Sequence, residues 1–208
     1  MITVIAGVNG AGKSSVVGSK FRSLGIEYHN PDEKAQALLL QHPSLKLNEA
    51  NGQAWRYGFD KLSQAVSDDL DYIFETTLGG NSVPEKLHEA ADANQKINII
   101  FCGLNSPELH LQRVKARVKR GGHDIPEEKI RQRWVRSIYN MTQLIPACEN
   151  VKVYDNSRPL VDGKPSPILL FSMQGGVFKL PPTEAIPDWA KPLATAAILT
   201  HNKFHSKD

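Results

Sequence analysis

Only two cysteines stand among 208 residues, Cys102 and Cys148, and their separation makes neither a metal pair nor a disulfide framework. Cys102 falls in an apolar run and reads as core. No apolar stretch is long enough to cross a bilayer, and the chain enters an apolar strand at once with no leader pattern ahead of it. The expectation is a cytoplasmic protein that works away from the membrane. Basic excess is also scarce: 25 Lys and Arg stand against 22 Asp and Glu, and a net charge of +3 does not argue for nucleic acid. There is no internal repeat. A hydrophobic share of 40% and a charged share of 23% fit a globular chain, and the length suits one domain over 1–208.

What is present begins at the second residue. Ile2 to Ala6 is a short β-branched run that reads as a buried strand. Gly7, Gly12, Lys13 and Ser14 then complete the pattern G-x-x-x-x-G-K-S, and Val16, Val17, Phe21 and Leu24 follow at helical spacing up to Gly25. Strand, glycine loop and helix in this order form a phosphate-binding loop. Its backbone N–H groups must converge on a polyphosphate at a helix start, and Gly7, Gly10 and Gly12 permit the angles and close approaches this needs. Asn9, Ala11 and Ser15 complete the cradle. Lys13 supplies a charge between the β- and γ-phosphates, and Ser14 offers a hydroxyl to Mg²⁺. ATP and Mg²⁺ are the expected cofactors.

Two further absences narrow the class. An ABC-type ATPase needs Leu-Ser-Gly-Gly-Gln, of which Leu78-Gly79-Gly80 is a fragment, and the guanine-reading Asn-Lys-x-Asp of GTPases does not occur.

Along the chain, residues 26–30 read as a short second strand, with Asn30 capping a helix whose first residue is Pro31. A longer helical pattern covers 46–70, weakened at Gly58. Strands follow at 70–74, 97–102 and 151–154, separated by helices that begin near Ser82, Ser106 and Pro126. Past Asn156, Pro-rich turns flank 168–171, Gly175-Gly176 turns a small hairpin, and a last helix covers 188–199. The small appendage of hairpin and helix spans about 165–200. Five strands alternating with helices predict an α/β three-layer sandwich with a five-stranded parallel sheet. The ligand belongs at the carboxyl ends of the strands.

Several residues on that rim could carry chemistry, each beside a plainer role. Asp32 could accept a proton from an attacking hydroxyl, or serve only the helix dipole. Glu75 ends an apolar strand, where an unpaired carboxylate is costly, so it needs a cation, a magnesium-bound water or substrate hydroxyls. Thr76 and Thr77 beside it suit substrate or a turn. Arg113, Arg117 and Arg120 share one helix face that ends at the hinge Gly121-Gly122-His123, and Arg131, Arg133 and Arg136 follow. Such a segment, about 113–133, can close as a helical lid and neutralise a phosphoryl group in transfer, or be a solvated face. His123 could donate a hydrogen bond there. Trp55, Tyr57 and Trp134, at helical positions, read as core.

Taken together, Gly-Val-Asn-Gly-Ala-Gly-Lys-Ser, Asn-Pro-Asp, Phe-Glu-Thr-Thr-Leu, Arg-Val-Lys-Arg-Gly-Gly-His-Asp-Ile-Pro and Val-Tyr-Asp-Asn-Ser resemble the zeta-toxin family of P-loop kinases, in the branch often labelled predicted ABC-type ATPase. The resemblance covers about 2–156. It implies a P-loop kinase-like fold and an antitoxin-controlled kinase that phosphorylates the sugar 3′-hydroxyl of UDP-N-acetylglucosamine. It also implies Asp32 as general base, Glu75 and Thr77 as substrate holders, and Lys13 with Arg133 and one of Arg117, Arg120 and His123 on the phosphates. The Gly-Gly-His-Asp-Ile-Pro form of the lid departs from better-known members. Other acceptors, a nucleoside or an aminoglycoside, and a nucleotide-dependent ATPase or switch without an acceptor are the alternatives.

Overall fold

The structure, a computed structural model, describes residues 1–122, 124–181 and 185–205. Among them one six-stranded sheet carries the fold, in the order β2-β1-β3-β4-β5-β6. β1 is Ile2–Ala6, β2 Tyr72–Thr76, β3 Ile97–Gly103, β4 Asn150–Asp155, β5 Ile168–Gln174 and β6 Val177–Lys179. The first four strands run parallel, β5 returns antiparallel to β4, and β6 turns back antiparallel to β5. The α/β sandwich class stands, with a different strand count from the five parallel strands expected.

The difference has a local cause at 26–30. His29 donates its N–H to Ile73 O (2.9 Å) and accepts from Glu75 N (2.8 Å), but the pairing ends after this one bridge. Asn30 must cap the next helix, its Oδ1 accepting from Asp32 N at 3.0 Å, and Pro31 has no N–H to give a ladder. Strand and helix cap compete for the same residues, and the cap prevails.

β1 is buried along its whole length and sits between β2 and β3. Period-two alternation divides its side chains between two layers. Ile2, Val4 and Ala6 enter the main core with Leu62, Leu87, Met141 and Leu144. Those partners come from α3 (Leu47–Ser67), α4 (Ser82–Asp92) and α6 (Glu127–Leu144). Ile5 points the other way, to Val17 and Cys102, where a π-helical turn Ser14–Gly18 leads into α1 (Ser19–Ser23). Gly58 does not break α3, because the helix uses it for a close approach: a Cβ there would lie 2.5 Å from His29 Nε2.

The remaining helices are α2 (Pro31–Gln41), α5 (Pro107–Val118) and α7 (Lys191–His205), which packs on α6. α5 opens on Ser106, whose Oγ accepts from Leu109 N at 3.3 Å, with Pro107 in its first turn. Among the described residues no helix is long and apolar enough to cross a membrane. Because the chain leaves β1 toward β2 on one side and reaches β3 on the other, the carboxyl end of β1 is the topological switch point.

Candidate active site

Residues 7–15 leave β1 at that switch point. Gly7 has φ +141°, and a Cβ on it would lie 2.1 Å from Cys102 O on β3. Gly12 has φ +89°, and its Cβ would lie 2.4 Å from Asn156 Nδ2. The backbone of β3 therefore leaves room only for glycine at Gly7, and at Gly12 the positive φ and the Asn156 side chain favour glycine. Asn156 Nδ2 also donates to Ala11 O at 3.0 Å, tying the loop to the end of β4.

Behind the loop lies an oxygen-rich cluster. Lys13, 6% exposed, places Nζ 3.4 Å from Glu75 Oε1, and Glu75 is 7% exposed. Ser14 Oγ donates to Glu75 Oε2 at 2.9 Å. The cation that Glu75 needs is thus Lys13. Among the described residues no group of three or more His, Cys, Asp or Glu could hold a metal ion. Mg²⁺ carried by nucleotide phosphates needs only one or two protein oxygens, and Ser14 with Glu75 fits that need.

Asp32 stands in the first turn of α2, where its Oδ2 lies 3.3 Å from Arg117 Nη1. Two clefts of about 630 and 620 Å³ open on either side of this point, each the size of a small-molecule site. Asn9, Lys13, Asp32 and Glu75 line both. The first cleft runs from Gly10 and Ser15 along α5 to Pro159 and Leu160. The second runs between α3 and the 76–80 turn to Lys129 and Arg133 on α6.

The arginines separate by what they touch. Arg113, Arg117 and Arg120 all line the first cleft. Arg113 Nη2 donates to Asn156 O at 2.7 Å and to Arg158 O at 3.3 Å, so it braces the segment after β4; burial lowers its pKa, and Asp155 offsets part of that. Arg120 Nε donates to Ala116 O on its own helix at 3.2 Å. Arg133 lines the second cleft and donates from Nη1 to Asn9 Oδ1 at 2.8 Å. Burial lowers the Arg133 pKa, with Asp32 acting in the opposite sense. Arg131 lies outside, bonded to Glu108 and Glu127 at the surface. His123 lies outside the described residues.

Thr76 and Thr77 line the second cleft while their hydroxyl oxygens accept from Leu78 N (3.2 Å) and Gly79 N (3.4 Å), a turn role. Asn140 Nδ2 donates to Leu78 O and Gly80 O at 2.7 and 2.9 Å and fixes the same turn. The turn carries backbone strain, since Leu78 has φ +51°.

Some site residues were not legible in the chain. Trp55 is half exposed rather than core: it stacks on Phe59 (5.2 Å between centroids, 8° between planes) and lines the second cleft with Asn48 and Asn51. A helical repeat of Asn48, Asn51, Trp55 and Phe59 on one face was the available signal. Trp134 does pack against core, and Tyr57 lies 44% exposed beside His29 and Lys34. The bracing by Asn156 and Asn140 had no local signal.

No protein-family model matches the chain. An uncharacterized protein of Haemophilus influenzae is 30% identical over 128 residues, covering 62% of this chain and 88% of that one. A chain of the AvrRxo1-ORF1:-ORF2 complex superposes with a TM-score of 0.63 at 15% identity, covering 98% of this chain and 75% of its own. The same complex solved with ATP gives 0.61 at 15% identity, over 98% and 76%. A chain of the PezAT toxin–antitoxin system of Streptococcus pneumoniae gives 0.51 at 13% identity, over 99% and 85%. At such identities the likeness is one of fold.

Proposed function

We propose, for a chain that belongs to one family with the Haemophilus influenzae protein and has a P-loop kinase-like fold, the activity of an ATP-dependent small-molecule kinase of zeta-toxin type. The carrying observation is that Asn9, Lys13, Asp32 and Glu75 line both clefts, so a phosphate cradle and a carboxylate meet at one junction. In this reading the first cleft takes ATP and the second takes the acceptor. The AvrRxo1-ORF1:-ORF2 complex solved with ATP supports the nucleotide.

The chain's residues divide the work. Gly7 to Ser15 present backbone N–H groups, and Lys13 places its charge at the β- and γ-phosphates. Ser14, with Glu75 beside it, would hold Mg²⁺, which when bound neutralises charge on the phosphate oxygens. Asp32 takes the proton of the acceptor hydroxyl as the new O–P bond forms and the bond to the ADP oxygen breaks. Arg117 and Arg133 reach the junction from opposite sides and stabilise the charge of the group in transfer, while 113–133 closes over it and excludes water. Glu75, Thr76 and Thr77 hold acceptor hydroxyls.

For the acceptor we propose a UDP-activated sugar such as UDP-N-acetylglucosamine. Half-exposed Trp55 offers a stacking face for a planar ring, and the Asn48 and Asn51 amides offer hydrogen bonds to its edge. PezAT is a toxin–antitoxin system, and by that likeness we propose cytoplasmic action under an inhibitory protein partner. The test is incubation with ATP, Mg²⁺ and a panel of UDP-sugars, nucleosides and aminoglycosides, read by mass spectrometry. Gain of one phosphoryl group on a UDP-sugar is expected; ATP hydrolysis with no labelled acceptor would remove the kinase reading.

Arg117→Ala and Arg133→Ala are expected to lower kcat roughly 10- to 1,000-fold while ATP affinity changes far less, as loss of transition-state charge stabilisation requires. Arg120→Ala should lose least, because Arg120 bonds its own helix. Steady-state kinetics beside calorimetric ATP titration check this. Loss of thermal stability alone in all three would make the basic stripe a solvated face.

A further inference from the structure

His110 lies on α5, is 1% exposed, and has no part in the chemistry described above. Its Nδ1 sits 2.8 Å from the backbone oxygen of Asn9, inside the phosphate loop. A carbonyl oxygen can only accept, so Nδ1 must carry the proton. Burial pushes the His110 pKa down to about 4, against the bond to Asn9, and the charges of Lys13 and Arg113 push the same way. The ring is therefore neutral at pH 7 and confined to one tautomer. Its Nε2 has no hydrogen-bond partner among the described residues, so the bond to Asn9 is the one it makes there.

Asn9 lies between Gly7 at φ +141° and Gly10 at φ +84° in the phosphate loop. The bond from His110 sets the direction of the Asn9 carbonyl, and the side chain of the same residue meets α6: Asn9 Oδ1 accepts from Arg133 Nη1 at 2.8 Å. A neutral donor also suits the rear of an anion-binding loop, because a charged one would compete with Lys13 for the phosphates.

We propose that His110 is a positioning residue: its Nδ1–H pins the Asn9 carbonyl, and the Asn9 side chain in turn holds Arg133 at the junction of the two clefts. The rate effects of this role rest on the kinase reading above; the pin itself does not.

Three variants separate pinning from mere filling of space. His110→Asn places an amide N–H near the Nδ1 position and keeps the bond. His110→Gln is nearer in volume but carries its amide out to the Nε2 position, and His110→Ala keeps neither. With ATP and UDP-N-acetylglucosamine, kcat of His110→Asn should stay within about 3-fold of the parent, and His110→Gln and His110→Ala should fall roughly 10- to 100-fold, the scale of a displaced catalytic group. In an Arg133→Ala background the His110→Gln change should add little, since both act through one contact. A filler role predicts the reverse order, with Gln better than Asn, and losses in Tm only.

Imidazole ¹⁵N NMR of the parent should show Nδ1–H, and the Asn9 side-chain amide resonance should shift in His110→Gln but not in His110→Asn. If the parent phosphorylates nothing in the panel, the kinase reading fails, and these two spectra still decide the pin. An Nε2–H tautomer, an unmoved Asn9 resonance in His110→Gln, or additive effects of His110→Gln and Arg133→Ala would each overturn it.

Discussion

Asp32→Asn is expected to fold, to bind ATP as the parent does, and to lose acceptor phosphorylation by about 10²- to 10⁴-fold, the contribution of a general base. The fold should survive because Asp32 does little structural work that asparagine cannot do. Its backbone N–H, not its carboxylate, completes the cap with Asn30 at 3.0 Å. Its carboxylate pairs with Arg117 at 3.3 Å, but the two side chains are 38% and 35% exposed. An ion pair so open to water contributes about 0–1 kcal/mol, so its loss is tolerable. Asparagine keeps the size and loses the negative charge, and with it the ability to take a proton. The check is acceptor phosphorylation by mass spectrometry beside ATP binding by calorimetry, and, if the parent poisons cells on expression, a harmless variant. Unchanged phosphorylation would reduce Asp32 to a helix-dipole acid and move the base to Glu75, which lines the same two clefts.

Lys13→Ala is expected to abolish transfer, and also to destabilise the fold. Lys13 and Glu75 form a pair whose side chains are 7% and 8% exposed. Removing one partner of a buried pair leaves the other charge uncompensated, a cost on the order of 3–5 kcal/mol. A lowered Tm would therefore confuse loss of chemistry with loss of structure. The companion Lys13→Met with Glu75→Gln removes both charges, keeps most of the volume and leaves Ser14 an amide oxygen to bond. It should recover much of the lost Tm and remain inactive, because the charge at the β- and γ-phosphates is still missing. Activity in the stable double variant would remove the phosphate-loop argument, since the backbone cradle alone would then suffice.

Features encoded in contiguous residues were legible in the chain. The phosphate loop is a single run in which each residue type answers a local demand: glycine for angles and approach, lysine for charge, serine for a hard oxygen. The cap at Asn30-Pro31 and the starts at Ser106-Pro107 and Pro126-Glu127 belong to the same class, because helix caps are settled within one turn. The stretch 26–30 differs from the strand expected there because pairing depends on a neighbour, β2, and on a cap that takes its last residue. Trp55 lies at a cleft rather than in the core; periodicity places a residue on a helix face and says nothing of whether that face meets core or cleft.

By itself, then, the sequence determined the loop that receives phosphates, the α/β alternation around it, and a short roster of carboxylates and guanidinium groups beside strand ends and helix starts. Tertiary structure alone decided which of them meet. Glu75 closes on Ser14 across 61 positions, Arg117 on Asp32 across 85, His110 on Asn9 across 101 and Arg133 on Asn9 across 124. The physical reason is the order of the sheet. Placing β1 between β2 and β3 brings the ends of three distant segments to one point, and α5 and α6 then lie over it. A charge's partner is whatever that packing sets within about 3–4 Å, a distance that spacing along the chain does not encode.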